Sequence, residues 1–141
     1  MNTTIKAYSL LTLRLSTGIY LILWGIVKFN AERAARVSDK YYSGVISDQT
    51  FSLMLGSLQI LLGFLVILGL FRVAAYWGQL VWYAAGIVPI FSYIIDPLAL
   101  YLVEAPGRLT FFPSTTLFFA SLVLIAFKEY DTISLDHKRG R

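Results

Sequence analysis

Three long stretches of the chain contain no charged residue. They lie between Asp48 and Arg72, between Arg72 and Asp96, and between Arg108 and Lys128. Each stretch is close to the roughly 20 residues that a helix needs to cross a hydrocarbon core of about 30 Å. Backbone polar groups in lipid are satisfied only within helices or closed barrels, and a hydrophobic chain of 141 residues is too short to close a barrel. The stretches therefore indicate transmembrane helices.

A further apolar stretch precedes these three and is interrupted only by Arg14. It is longer than the apolar region of a secretory signal and lacks a small-residue cleavage site, so we interpret it as a retained span. Only 14% of the residues are charged, against about a quarter in soluble domains. We predict an all-α fold, a single transmembrane domain built as an antiparallel bundle of four transmembrane helices. The expected spans are about 8–28, 51–71, 73–95 and 110–127, followed by a polar tail over 129–141.

The connection between the first two spans is long enough for a helix of its own. Asn30 is a suitable N-cap, and Ala34, Val37 and Tyr41 recur at helical spacing before Gly44. The opposite face is charged. This pattern predicts a short amphipathic helix that lies at the membrane surface.

Four spans place both termini on the same side of the membrane. More of the twelve Lys and Arg residues fall on that side than on the other. The excess favours cytoplasmic termini for a multi-pass protein of the cell (inner) membrane.

Each span presents small or polar residues on one face. In the first span the stripe is spaced by four, three, four and three residues, which keeps it on one side of a helix. Small residues let helices approach closely in lipid, so these faces predict an interior seam. The stripes consist of Arg14, Gly18, Leu21, Gly25 and Lys28; Gly56, Gln59 and Gly63; Ala75, Gln79, Trp82, Gly86 and Pro89; and Ser114, Phe118, Ser121 and Ile125.

Charged side chains inside a membrane need partners. Counting residues along the helices places Arg14 and Gln79 at similar depth, so we expect the guanidinium to donate to the amide oxygen. Lys28 and Asp96 fall at the opposite end with Gln59 nearby, and we expect them to form a structural polar seam. Aromatic residues near the span ends, Tyr76 among them, are expected to lie at the membrane interface.

The residue types exclude several kinds of chemistry. Without cysteine the chain forms no disulfide and supplies no thiolate nucleophile or ligand for an iron–sulfur cluster. With His137 as the only histidine, it cannot hold a haem between two of its own histidines. No metal-ligand set or nucleophile–base pair is recognisable, so no catalytic residue is assigned. The net charge of +4 does not require nucleic acid as a partner.

The first span also carries a recognisable pattern. Arg14 and Gly18, followed by Trp24, Gly25 and Lys28, resemble the opening signature of the DoxX/DoxD-like membrane proteins. The second span of that family often carries an acid a few positions before a glycine, where this chain has Gln59-Ile-Leu-Leu-Gly63. The resemblance implies a four-helix membrane protein that is often a small partner of redox enzymes. The amide in place of the acid weakens any proton-coupled role.

Three functions follow as hypotheses. The first is a non-catalytic accessory, anchoring or assembly subunit of a larger, redox-linked membrane complex, with the bilayer and either other subunits or further copies of the chain as partners. The second is a quinone-binding subunit of a membrane oxidoreductase, with Arg14, Gln79, Trp82 and Tyr83 as the candidate contacts to a quinone or lipid. The third is a small-solute transporter acting as an oligomer. A lipophilic pocket in the seam would favour the second, and a fully packed seam the first.

Overall fold

A computed structural model describes residues 2–44, 48–101 and 111–140. The chain is all-helical, as predicted, and no strand occurs among these residues. Two short 3-10 turns, Val88–Ile90 and Lys128–Tyr130, connect some of the helices. The helices are α1 Thr3–Val27, α2 Ala31–Tyr41, α3 Gln49–Leu68, α4 Arg72–Ile87, α5 Phe91–Ile95, α6 Pro113–Ala126 and α7 Leu135–Lys138.

Three helical segments are long and apolar enough to cross a membrane: Thr3–Val27, Gln49–Leu68 and Arg72–Ile95. Many of their large apolar side chains point outward, where lipid would cover them. These segments identify the chain as a membrane protein. The predicted fourth span corresponds to α6, which has 14 residues, and the start predicted for it, at residue 110, lies outside the described residues.

Helix α1 packs against α3 through two pairs of glycines. A Cβ placed on Gly63 would lie 2.8 Å from the carbonyl oxygen of Gly18, and one on Gly25 would lie 2.9 Å from that of Gly56. Such approach is closer than real Cβ atoms tolerate, so a larger residue would push the two backbones apart. The glycines of the predicted stripes therefore set the contact between α1 and α3.

Proline interrupts the third membrane-length segment. Pro89 has no N–H to donate to the preceding turn, and α4 ends at Ile87 before a 3-10 turn and the short α5. The sequence predicted one continuous span over 73–95. The helical path is retained, but it changes its hydrogen-bonding pattern beside Gly86 and Pro89.

Polar groups connect α1, α4 and α6 inside the bundle. The amide of Gln79 donates to Ser121 Oγ at 2.7 Å and accepts from Thr17 Oγ1 at 3.3 Å. The Tyr83 hydroxyl donates to the Thr17 carbonyl at 2.9 Å. Because these groups are buried, each hydrogen bond avoids an unsatisfied polar atom in an apolar interior.

The residues after α6 fold back onto the bundle. The sequence predicts a polar tail here, but Asp131 and Ser134 are fully buried and Asp136 nearly so. The Asp136 carboxylate accepts from the Arg72 N–H at 2.8 Å, and its own N–H donates to the Gly69 carbonyl at 3.1 Å. No neighbouring side chain caps the start of α4. The tail supplies the missing acceptor through Asp136 and so connects the ends of α3 and α4.

Candidate functional site

A cavity of about 990 Å³ lies at the end of the bundle where α1 terminates. This volume is near the top of the range of about 300–1,000 Å³ that ligand pockets occupy. Its walls come from the last turns of α1 and α4, the first half of α3 and the start of α6. The glycine-paired contact of α1 with α3 and the interruption at Pro89 position these walls.

Helix α2 covers one side of this cavity. The side chain of Asn30 accepts a hydrogen bond from the Arg33 N–H at 3.0 Å, which confirms the predicted N-cap. The apolar positions Ala34, Val37 and Tyr41 line the cavity. The apolar face of the predicted surface helix therefore lies over the void, and the charged face carrying Glu32 and Arg36 is exposed.

Aromatic rings form much of the wall. Tyr20 packs against Tyr83 and Trp24, with ring centroids 6.2 and 6.3 Å apart. At the α2 side the Tyr41 ring meets Phe111 edge-on, with centroids 4.8 Å apart. Such rings give rigid apolar contact area for a lipophilic molecule.

Lys28 and Gln59 bring polar groups to the cavity. Lys28 Nζ donates to Gln59 Oε1 at 2.6 Å, and both residues line the void. The expected pair of Lys28 with Asp96 is not among the ion pairs of the described residues. The Asp96 carboxylate accepts from the N–H groups of Leu100 and Tyr101, both at 2.8 Å, because it lies at a turn that leaves these donors without helical acceptors.

The four residues expected to contact a quinone or lipid separate into two places. Trp82 and Tyr83 line the cavity, although the Tyr83 hydroxyl is already bound to the Thr17 carbonyl. Gln79 lies behind the wall in the α1–α4–α6 contact, and Arg14 lies still closer to the N-terminal end of α1. Neither of these two is among the described lining residues.

Arg14 binds Asp131 rather than Gln79. Its Nη1 lies 2.9 and 2.8 Å from the two carboxylate oxygens, and both side chains are buried. The Tyr76 hydroxyl donates to the same carboxylate at 2.5 Å, so Tyr76 is a buried ligand of Asp131 and not an interface residue. The carboxylate prevails over the amide because it brings the opposite charge into a low-dielectric interior.

Several residues of the site were not predicted as site residues from the sequence. Tyr20 and Tyr42 line the cavity, and burial, reinforced by Tyr20, raises the pKa of the Tyr42 hydroxyl above its ordinary value. The Tyr42 phenol therefore stays protonated at neutral pH and remains a donor. Asp131 was not predicted because it lies in a polar segment. The signal that could have found it is the arginine within a span, which needs an acidic partner, in a chain with only eight acidic residues.

The cavity offers binding groups and apolar walls. An ammonium carries three N–H donors, of which the Gln59 oxygen engages one. Among the described residues no group of three or more His, Asp or Glu side chains lies close enough to hold a metal ion.

No family model, curated protein or solved structure matches the chain.

Proposed function

We propose that the protein binds a lipophilic membrane molecule with an oxygen-bearing head group in this cavity. The observation that carries the proposal is the cavity itself, which has aromatic walls and includes Lys28 and Gln59 among its polar lining residues. Beyond Tyr83 the interior is packed by the Gln79 and Arg14 hydrogen bonds. A pocket that ends against packed side chains favours binding over passage of a solute.

We also propose that α6 completes an antiparallel bundle of four spans. Its 14 residues cover about 21 Å, and the apolar sequence extends upstream to Leu109. The tail that follows α6 contacts Arg14 in the first half of α1 and Gly69 after α3. This arrangement supports both termini lying on one side of the membrane, which we take as the cytoplasmic side of the inner membrane.

The binding proposal predicts that filling the cavity removes the ligand. A Cβ on Gly86 would meet no atom within 4 Å, and Gly86 lines the cavity, so we expect the ring of Gly86→Phe to occupy the void. Native mass spectrometry and lipid extraction of the full chain, purified from its membrane in a mild detergent, should show a retained lipophilic molecule that this variant has largely lost.

The matched control is Val81→Phe, which adds the same ring on an exposed position of the same helix. It should retain the ligand. Equal ligand content in Gly86→Phe and the wild-type protein, or no bound lipophile in the wild type, would contradict the proposal. Chemical identification of the extracted molecule also tests the quinone hypothesis.

An accessory role in a larger membrane complex stays a prediction, as does membership of the DoxX/DoxD-like proteins. A ligand-binding subunit and an accessory subunit are compatible, since a small protein can hold a lipophile for a partner enzyme. The same native mass spectra reveal stoichiometric partner subunits. Their absence from complexes that still carry native lipid would favour a protein that acts alone or as copies of itself.

A further inference from the structure

Lys28 contributes a positive charge to the cavity, and no carboxylate of the described residues forms an ion pair with it. Its ammonium donates to the neutral oxygen of Gln59 at 2.6 Å. The ion pairs within the described part of the chain are Arg14 with Asp131 and Arg36 with Glu32, and neither includes Lys28. The Lys28 ammonium therefore has further N–H groups that can donate to a molecule in the cavity.

The surroundings make that charge costly. Lys28 is partly buried, Gln59 is buried, and the nearby lining is aromatic and aliphatic, including Trp24, Val27 and Leu55. A cation in such a place loses hydration that an amide oxygen replaces only in part. A ligand with a negatively charged head restores the balance, whereas a neutral quinone would leave the charge uncompensated.

We propose that the ligand is an anionic amphiphile whose charged oxygens bind Lys28 and whose hydrocarbon chain lies along the aromatic walls. The inference rests on the proposed function, that the cavity takes a lipophilic molecule, and adds the charge of its head. A free long-chain carboxylate and the head of an anionic phospholipid share this chemistry. The cavity volume of about 990 Å³ accommodates a long hydrocarbon chain.

The test compares two ligands of the same chain length, one with an anionic head and one with a neutral head. The full chain is purified, delipidated and placed in nanodiscs of phosphatidylcholine, and binding of hexadecanoate and hexadecanol is measured. The carboxylate should bind at least about tenfold more tightly than the alcohol, as expected for a hydrogen bond to a charged group in an apolar site. Phosphatidylglycerol, titrated separately and detected by native mass spectrometry, distinguishes a phospholipid source from a free carboxylate.

Variants assign the preference to Lys28. Lys28→Met should abolish the advantage of the carboxylate over the alcohol, and Lys28→Arg should retain much of it. Lys40→Met is the matched control, because Lys40 is exposed on α2 and does not line the cavity. Ligand-free Lys28→Met should unfold at a temperature close to that of the wild type, since removing the charge offsets the loss of the hydrogen bond to the buried Gln59, and this readout verifies that the variant folds.

The outcomes separate the two proposals. Equal affinity for carboxylate and alcohol, or a carboxylate preference that survives in Lys28→Met, overturns the anionic assignment and leaves the lipophile-binding function standing. Failure of both ligands and of phosphatidylglycerol to bind overturns the function as well. Preference for either anion, lost in Lys28→Met and kept in Lys40→Met, supports the inference.

Discussion

Arg14, in a membrane-spanning helix, binds a residue from a distant part of the chain. Its guanidinium is buried, and its partner Asp131 lies 117 positions away. Gly69 fits the same contact: its φ is +63°, and a Cβ there would overlap with Arg14 Nη1. The buried charge of Arg14 thus requires both a carboxylate from the tail and a residue without a side chain at position 69.

Removing one partner of this pair should be costly. Asp131→Asn leaves the Arg14 charge without its carboxylate, and we expect the free energy of unfolding to fall by about 3–5 kcal/mol. Thermal or denaturant unfolding in a fixed detergent measures the loss. The double variant Arg14→Met with Asp131→Leu should recover part of it, because it removes the unpaired charge, whereas the buried Tyr76 hydroxyl loses its acceptor. A double variant less stable than Asp131→Asn would contradict this account.

At the scale of elements, the contact between α1 and α3 depends on glycines at matching positions. Gly18 faces Gly63 and Gly25 faces Gly56, with the carbonyl oxygens of each helix against the Cα atoms of the other. Lipid gives no hydrophobic drive for helix association, so this close backbone contact supplies the packing energy. It also holds the end of α1, and therefore Lys28, beside Gln59.

Adding a methyl group at this contact should separate the helices. Gly63→Ala brings a Cβ within 2.8 Å of a carbonyl oxygen that cannot move independently of its helix. We expect a loss of about 1–3 kcal/mol in unfolding free energy, as for overpacked interiors. Gly86→Ala is the control, because its Cβ meets open space and alanine favours a helix over glycine. Equal stability of the two variants would refute the proposed role of the glycine contact.

The whole molecule combines a packed end with an open end. Near the N-terminal end of α1, the tail, Tyr76 and Arg72 form a buried hydrogen-bonded cluster around Asp131. Near the other end, α2 and the aromatic walls line the open cavity. Because only one end of the bundle is open and Lys28 lies there, the proposed ligand would bind with its head group at that end.

The number of spans can be tested directly because the chain has no native cysteine. With four spans, Asn2→Cys and Lys138→Cys should react with an impermeant maleimide from the same side of sealed vesicles. Asp39→Cys on α2 should react only from the opposite side. With three spans, Asn2→Cys and Lys138→Cys would label from opposite sides, and that result would overturn the four-span bundle.

The sequence by itself determined the helical membrane class, the α2 cap at Asn30 and the glycine faces of α1 and α3. These features depend on local properties, namely the length of apolar stretches and the spacing of residues on a helix. Only the tertiary structure decided that Asp131 binds Arg14, that Lys28 binds Gln59 and that α2 covers a cavity. Pairing and voids depend on which distant segments meet in space, and neither helical spacing nor depth along a single helix specifies that.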